Sequence, residues 1–369
     1  MTRRLTFLLS KDPATSHGGD MTMFRAIRDI VSDWAEVDAI CLSDEPGLVS
    51  DGLTRVAKPA VSAGSLAARS LRRRRSLVHA RYDIDSLVQA IDRSGSTEFV
   101  AIHSYMAESF LRSAAATAGA ALYVSAEISE ASVWQESGRP LGGIEVPRIR
   151  RDELRVANVA RSVGSYDPVD IETYRSGGVD RATWLQVTLP PRPLAGVDDS
   201  PPRLVFLGDR RWPPNDEAYR KAVALWPQIS SGITDAELWI IGHPAESAPA
   251  LLLPAGVRDR GFVSDLDAVL DSSRGMLAPV ATGGGVRVKL LDAASRGLPV
   301  VGTAAAVGSL AEQLGMTAHD DEDAFIAGCR ELLTDAAAAA LAGKVLHDAN
   351  ARRWDDRVPH DSIAEWLAA

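Results

Sequence analysis

The chain has 369 residues, 46% of them hydrophobic, which is enough for a large core and favours two domains over one. Its formal net charge is −9, and an acidic chain of this kind is a poor candidate for binding nucleic acid. Cys41 and Cys329 are its two cysteines, so the sequence offers neither a disulfide framework nor a thiolate metal site.

The first apolar run is LTFLLS, residues 5–10, followed by Lys11 and Asp12. It is too short to span a bilayer and predicts a buried strand rather than a signal peptide, which favours a soluble, cytoplasmic protein. Similar runs then alternate with segments of helical periodicity, a pattern typical of a parallel sheet covered by helices. In the first half, strands are also predicted over 37–43, 99–104 and 121–127, and helices over 21–35, 84–94 and 108–119.

The same pattern restarts in the second half, with strands predicted over 203–209, 236–243, 257–263, 275–280 and 298–303. The intervening segment 189–202 contains five prolines and predicts a linker. We therefore predict two doubly wound α/β domains, residues 1–188 and 203–350, and a C-terminal helix over 351–369 that packs back on the first domain. Two facing sheets of this kind would leave a ligand-binding cleft at the carboxyl ends of their strands.

The stretch ATGGGVRVKLLDAASRGLPVVGT, residues 281–303, places three glycines between a predicted strand and a predicted helix. Glycines let backbone N–H groups approach a ligand closely, and a helix N-terminus favours negative charge, so the loop suits a diphosphate. Lys289 and Asp292 are three residues apart and should share a helix face, with Lys289 on phosphate and Asp292 on ribose hydroxyls. An ordinary helix start with a salt bridge explains the same spacing equally well.

Two other nucleotide-binding motifs are excluded because Val288 stands where each requires glycine. A P-loop needs glycine immediately before its lysine, and the dinucleotide-binding G-x-G-x-x-G pattern needs one at its last position.

Read in order, the blocks of the second half resemble the donor-binding domain of GT-B glycosyltransferases of the retaining family 4. The blocks that carry the resemblance are FLGDRRWPPNDEA, AELWIIGH, VRDRGFVSDLDAVL, APVATGGGVRVKLLDAASRGLPVVGT and DDEDAFIAGCRELLTD. The first half is similar in outline only, through SHGGDMTMF, FVAIHSYMAESF and RDELRVANVARSVGSYDPVD. The resemblance implies a GT-B fold, with residues 1–188 binding the acceptor and residues 203–350 binding the donor.

That resemblance implies transfer of a sugar from a nucleoside-diphosphate donor to an acceptor hydroxyl, with retention and without a metal or other cofactor. The acceptor would be a carbohydrate, a lipid-linked molecule or a small molecule. The residues expected to act in catalysis are His103, Arg287 and Lys289, and Glu127 is expected to bind the acceptor. Donor binding is expected from Gly18, Gly19, Arg210, Gly283, Gly284, Gly285, Val286 and Asp292.

The sequence departs from the family at a pair of glutamates separated by seven residues. Gly284 occupies the first position, and Asp292 replaces the second glutamate with a side chain one methylene shorter. This departure suggests one alternative, a non-catalytic homologue that serves as a partner or binding subunit. A sugar-nucleotide epimerase on the same architecture is a second alternative, against which the ordered blocks of the family argue.

A run of four arginines, Arg72, Arg73, Arg74 and Arg75, lies in an amphipathic segment of the first half. Such a segment could bind anionic lipid head groups at the inner face of a membrane, which would suit a lipid-linked acceptor. A solvated helix face is the alternative reading.

Overall fold

The structure is a computed structural model that describes residues 3–16, 18–136, 141–245, 251–282 and 284–368. Contacts between residues divide the chain into two compact units. Unit 1 comprises Met1–Val187 and Pro359–Ala369, and unit 2 comprises Thr188–Val358. The proline-rich segment 189–202, predicted as a linker, thus belongs to unit 2, where Leu189 and Val197 are buried.

Unit 1 is built on a parallel sheet of seven strands. Numbered in chain order, the strands lie across the sheet in the order 3-2-1-4-5-6-7. Because helices cover both faces of such a sheet, its central strands are apolar on both sides, and Leu5, Phe7 and Leu8 are fully buried. The strands are β1 (Arg3–Leu9), β2 (Ala35–Ser43), β3 (Leu53–Ala57), β4 (Glu98–Ile102), β5 (Ala121–Ala126), β6 (Ser162–Ser165) and β7 (Ala182–Trp184).

Helices of very different length connect these strands, and a 3-10 turn, Ser104–Met106, follows β4. They are α1 (Gly19–Val31), α2 (Ala63–Arg73), α3 (Leu77–Arg81), α4 (Asp85–Ser94), α5 (Ala107–Phe110), α6 (Ala114–Thr117), α7 (Glu130–Glu136), α8 (Gly142–Val159) and α9 (Pro168–Ser176). The prediction of a single helix over 108–119 is wrong, because the chain forms the two helices α5 and α6 there. Ser113 separates them by capping α6, its Oγ accepting from the Ala116 amide at 3.1 Å.

Unit 2 contains a smaller parallel sheet in the corresponding order 3-2-1-4-5. Its strands are β8 (Arg203–Leu207), β9 (Glu237–Ile241), β10 (Val257–Gly261), β11 (Gly275–Ala278) and β12 (Val300–Gly302). Its helices are α10 (Pro213–Ser230), α11 (Leu266–Asp271), α12 (Val288–Arg296), α13 (Ala304–Val307), α14 (Leu310–Leu314), α15 (Glu322–Thr334) and α16 (Ala336–Asp355). Within the described ranges, no helix is long and apolar enough to cross a membrane.

The order of strands reverses once in each sheet, between β1 and β4 in unit 1 and between β8 and β11 in unit 2. At such a reversal, consecutive connections leave on opposite faces of the sheet and open a crevice beyond the carboxyl ends of the strands. Ligands of doubly wound folds bind in that crevice, so each unit has one defined place in which to look for a site.

The chain ends in α17 (Val358–Ala368), a helix of unit 1. Trp366 is fully buried there, with its ring edge-on to Tyr123 at 6.5 Å. The Ser162 hydroxyl donates to the Trp366 carbonyl oxygen at 2.6 Å, and Arg3 Nη2 donates to the Leu367 carbonyl oxygen at 2.7 Å. The segment predicted as one helix over 351–369 therefore contains the end of α16 and all of α17.

Candidate functional site

The strand reversal of unit 2 brings together the loop after β8, the loop after β11 and the first turns of α10 and α12. Lys289 lies in the first turn of α12 and donates from Nζ to Asn215 Oδ1, in the first turn of α10, at 2.8 Å. Asn215 is buried and is fixed in turn by its own Nδ2, which donates to the Asp209 carbonyl oxygen at 2.9 Å. A cation is thus held at the reversal by a neutral amide.

The electrostatic environment of Lys289 favours an anionic ligand. Removal from water lowers the pKa of Lys289 to about 8, and the negative charge of Asp209 acts in the opposite direction. A partly buried ammonium whose hydrogen-bonding partner carries no charge keeps donors available and gains stabilisation from an incoming phosphate.

The glycine-rich loop precedes α12. Gly285 has φ 67, in the region that favours glycine, and Gly284 has no atom within 4 Å of a Cβ placed on it, so the backbone of the loop is accessible from that side. Val286 is partly exposed, and Gly283 lies outside the described residues. Arg287 is the N-cap residue of α12 and donates from Nη1 to the Gly285 carbonyl oxygen at 2.8 Å.

A second glycine determines where the Arg287 side chain lies. A Cβ on Gly308 would overlap the Arg287 guanidinium, and φ 47 at Gly308 also favours glycine. The guanidinium therefore packs on bare backbone after α13, beside the loop that precedes α12.

Arg210, expected to bind the donor, has contacts that indicate a framework role. Its guanidinium forms two hydrogen bonds with the Asp259 carboxylate, at 2.6 and 2.9 Å, and one with the Gly242 carbonyl oxygen at 3.1 Å. It also lies over the Tyr219 ring, and its side chain is 3% exposed. These contacts join the carboxyl ends of β8, β9 and β10, and they leave little of the guanidinium for a ligand.

The contacts of Asp292 also differ from the expectation that Asp292 and Lys289 bind the same ligand. Its Oδ1 accepts from Arg296 Nη2 at 2.9 Å and lies 3.6 Å from Arg192 Nη1. Arg296 is buried and pairs further with Asp267 and Asp271. The shorter aspartate side chain is thus engaged in an ion-pair cluster that holds segment 189–202 to α12, away from the Lys289–Asn215 contact.

The strand reversal of unit 1 lies between the loop after β1 and the residues after β4. Gly18 has φ 135 and precedes α1, whose first residue is Gly19, so the expected glycines do stand at the start of this helix. Asp20, in the first turn of α1, pairs with Lys11 Nζ at 2.9 Å. An ion pair therefore occupies this edge of the sheet.

His103 lies at the carboxyl end of β4, in a backbone conformation with φ 69 that non-glycine residues rarely adopt. Its ring stacks on Tyr105 at 4.9 Å, and its buried Nδ1 has no hydrogen-bonding partner in the described part of the chain. Burial lowers the pKa of His103 to about 4, so the ring is neutral at neutral pH, with one nitrogen that can donate a hydrogen bond and one that can accept.

Glu127 follows β5, the neighbouring strand, and is 3% exposed. Its Oε1 has no hydrogen-bonding partner within the described ranges. Burial raises the pKa of Glu127 well above its usual range, and the charge of Asp20 acts in the same direction. Glu127 Oε1 and His103 Nδ1 are thus two buried polar atoms without a hydrogen-bonding partner among the described residues, beside the Lys11–Asp20 pair.

Sequence reasoning proposed Lys289, His103 and Glu127 as site residues but did not predict the residues that surround them. Asn215 is the main omission, and its signal was the Trp-x-Pro-Asn character of the loop after β8. Lys11 and Asp20 had no motif to mark them as a pair. In the described part of the chain, no group of three or more His, Cys, Asp or Glu side chains is arranged to hold a metal ion.

Comparison with known sequences identifies the domain that carries Lys289. Residues 201–335 match the profile of the family described as Glycosyl transferases group 1. Unit 2 contains a glycosyltransferase group 1 domain. The matched range includes Asn215, Lys289 and the glycine-rich loop, so the geometry above belongs to this glycosyltransferase domain. No curated protein sequence matches the chain.

Solved structures that share the fold cover both units. Sucrose-phosphate synthase from Thermosynechococcus elongatus matches with a TM-score of 0.69 and 15% identity over 96% of each chain. WaaG, a glycosyltransferase involved in lipopolysaccharide biosynthesis, matches with a TM-score of 0.65 and 13% identity over 97% of this chain and 98% of its own. HepE of Anabaena, solved with UDP and glucose, matches with a TM-score of 0.66 and 12% identity over 99% of each chain. At these identities the likeness shows the fold, which confirms the expected GT-B class.

Proposed function

We propose that the protein transfers a sugar from a nucleoside-diphosphate donor to an acceptor hydroxyl. The observation that carries this proposal is the ammonium of Lys289, held by neutral Asn215 at the strand reversal of the glycosyltransferase domain. The carbonyl of Asp209 fixes Asn215, so the cation is positioned before any ligand arrives.

The chemistry follows from where negative charge develops. Cleavage of the bond between the sugar and the diphosphate leaves charge on the diphosphate, and fixed cations and backbone N–H groups nearby lower the energy of that state. Lys289, Arg287 and the backbone of Gly284 to Val286 are assigned this role. We further propose that reaction proceeds with retention and without a metal ion, as in the family that the sequence resembles.

The acceptor hydroxyl is assigned to unit 1. His103 and Glu127 have unfilled hydrogen-bonding positions at the strand reversal, where a hydroxyl group that both donates and accepts would satisfy them. Gly18 and Gly19 are assigned to the same edge through their place at the start of α1. HepE binds UDP-glucose, which makes a UDP-hexose the first donor to examine.

The test measures binding of UDP, GDP, ADP and TDP by calorimetry, with Lys289→Met as the variant and Lys344→Met as its control. Lys344 lies on α16 with its side chain 56% exposed and paired to Asp348, so its loss leaves the strand reversal intact. Loss of a charge-assisted phosphate contact should weaken binding of the preferred diphosphate roughly 10- to 100-fold in Lys289→Met only. Equal affinity in both variants would refute the assignment.

Binding is then separated from catalysis by following release of the nucleoside diphosphate from its sugar donor, with and without candidate acceptors. Acceptor-dependent release supports transfer. Tight binding without release or transfer would support the non-catalytic alternative, and conversion of the donor to an epimer would support the epimerase.

A further inference from the structure

An uninterrupted basic segment distinguishes one region of unit 1 from the rest of an acidic chain. Between Asp51 and Asp83 the sequence contains no aspartate or glutamate, although the whole chain carries a net charge of −9. The cations of this segment are Arg55, Lys58, Arg69, Arg72, Arg73, Arg74, Arg75 and Arg81.

Folding neutralises part of this charge and leaves the rest on the surface. Arg73 pairs with Asp83 at 3.1 Å and Arg75 with Glu108 at 3.4 Å, so these two of the four consecutive arginines hold unit 1 together. Arg72 and Arg74 are exposed, and no carboxylate in the described part of the chain pairs with either of them. The run predicted from the sequence as one basic patch is therefore divided between internal and outward-facing side chains.

Helix α2, which ends within this run of arginines, has very little of its surface covered. Ser70 is its buried residue, and Leu71, next in the chain, is 74% exposed beside Arg72. The end of α2 therefore presents a large apolar side chain and two arginines to solvent. Exposure of a leucine side chain to water is unfavourable, and insertion among acyl chains would remove its apolar area from solvent.

The start of α8, which is attached to the end of α2, adds two further exposed apolar side chains. Leu141 and Ile144 are 60% and 63% exposed. The next residue, Glu145, accepts from the Leu77 amide at 2.6 Å, and one turn later Arg148 donates to Ser70 Oγ at 2.8 Å. These contacts attach the first turns of α8 to the end of α2 and the start of α3.

We infer that this basic-apolar surface, defined by Leu71, Arg72, Arg74, Leu141 and Ile144, binds the anionic face of a lipid bilayer. The charge complements acidic head groups, and the exposed leucine and isoleucine side chains reach the acyl boundary. A polyanion such as nucleic acid would use the arginines but would leave Leu71, Leu141 and Ile144 without a role.

The surface adjoins the edge of unit 1 assigned to the acceptor. Helix α3 connects the two, because Tyr82 after α3 stacks on Tyr105 at 4.2 Å, and Tyr105 stacks on His103. If the proposed function holds, an acceptor anchored in the same bilayer would present its hydroxyl near His103. Bilayer binding itself does not depend on that function and is measured without donor or acceptor.

The experiment is sedimentation of the full chain with vesicles of phosphatidylcholine alone or with phosphatidylglycerol added. Each arginine near an anionic surface raises affinity roughly fivefold, so Arg72→Gln/Arg74→Gln should bind the phosphatidylglycerol vesicles ~30-fold more weakly. The matched control is Arg93→Gln/Arg181→Gln, which removes two exposed charges from the amino-terminal edge of the same sheet. Its binding should equal that of the unchanged protein.

A second pair of variants tests insertion. Leu71→Ser should weaken binding several-fold, and Leu341→Ser, on α16 at 65% exposure, should not. Circular dichroism and the melting temperature should be the same for every variant, since all the replaced side chains are exposed. Binding by Arg72→Gln/Arg74→Gln as tight as that of its control, or absence of binding to phosphatidylglycerol vesicles, would overturn the inference.

Discussion

Lys289 should make diphosphate binding depend on pH in a range where the ligand itself no longer titrates. The pKa of Lys289 is lowered to about 8 by burial, so the side chain is cationic below that pH and loses its charge above it. A terminal phosphate with a pKa near 6 is already ionised throughout this range. Affinity for the preferred diphosphate should therefore fall roughly tenfold between about pH 7.5 and pH 9.5, because the fraction of the protein with a cationic Lys289 decreases over this range.

Lys289→Arg provides the control for that measurement, because a guanidinium stays protonated throughout the range. Its affinity can be lower at every pH, but calorimetry should show the same value at both ends of the range. A pH dependence identical in the two proteins would assign the titration to another group.

Glu127 allows a separate prediction about stability. Its pKa in the folded protein is raised well above the ordinary value, so between about pH 4.5 and the folded pKa the native state binds more protons than the unfolded state. The stability contribution of Glu127 is fully present below this window and is lost as pH rises through it, by up to about 1.4 kcal/mol per pH unit.

Glu127→Gln removes that titration while keeping the size and polarity of the neutral acid. Chemical denaturation should find the variant about as stable as the parent near pH 4.5 and increasingly more stable than the parent as pH rises towards the folded pKa of Glu127. A difference in stability that stays constant with pH would mean that Glu127 is ionised in the folded protein.

At this scale the sequence specifies residue types better than residue partners. Lys289 was predicted from its place after a glycine-rich loop, but Asn215 is 74 positions away along the chain, and their contact exists only once β8 and β11 are adjacent. Arg210 and Asp292 stand in equally suggestive positions, yet Asp259 and Arg296 engage them. Spacing along one helix cannot reveal a partner supplied by another element.

Among the secondary-structure elements, most of the strands that the sequence predicts are central strands buried on both faces, whose apolar residues are consecutive; β10, predicted although it is largely exposed, is the exception. The strands β3, β6 and β7 were missed because LTRVA, SVGS and ATW are short and contain few large apolar residues. The strands β3 and β7 form the two edges of the sheet of unit 1, each with one neighbouring strand, and β6 lies between β5 and β7. The central strands could be predicted from the sequence, whereas the number of strands in the sheet could not.

Helix α17 is expected to contribute strongly to the stability of unit 1. Trp366 is fully buried, and the carbonyl oxygens of Trp366 and Leu367 accept hydrogen bonds from Ser162 and Arg3. Trp366→Ala should lower the free energy of unfolding of unit 1 by about 3–5 kcal/mol, through lost apolar burial and the cavity that remains. Leu341→Ala, in the exposed part of α16, should change stability by less than about 0.5 kcal/mol.

Urea denaturation followed by tryptophan fluorescence and by circular dichroism measures the effect. A loss below about 1 kcal/mol in Trp366→Ala would show that α17 contributes little, since burial of this size has larger effects elsewhere.

For the whole molecule, the division into two compact units predicts two separable unfolding transitions. Each unit has its own parallel sheet and its own core, and domains with these features commonly unfold as separate cooperative units. Trp366→Ala should lower the melting temperature of the transition that belongs to unit 1. The preferred nucleoside diphosphate should raise the melting temperature of unit 2, where Lys289 and Asn215 lie. At a ligand concentration of 100 times Kd, it should add about 2.7 kcal/mol to the free energy of unfolding of that unit.

Differential scanning calorimetry of the unchanged protein and of Trp366→Ala, each with and without the diphosphate, tests both assignments in four scans. The ligand should shift the same transition in both proteins, because Trp366 and Lys289 belong to different units, and the Lys289→Met variant should abolish that shift. A single transition moved equally by the ligand and by Trp366→Ala would show that the two units unfold together. A ligand shift confined to the transition that Trp366→Ala lowers would instead place the diphosphate in unit 1, against the charge and geometry around Lys289.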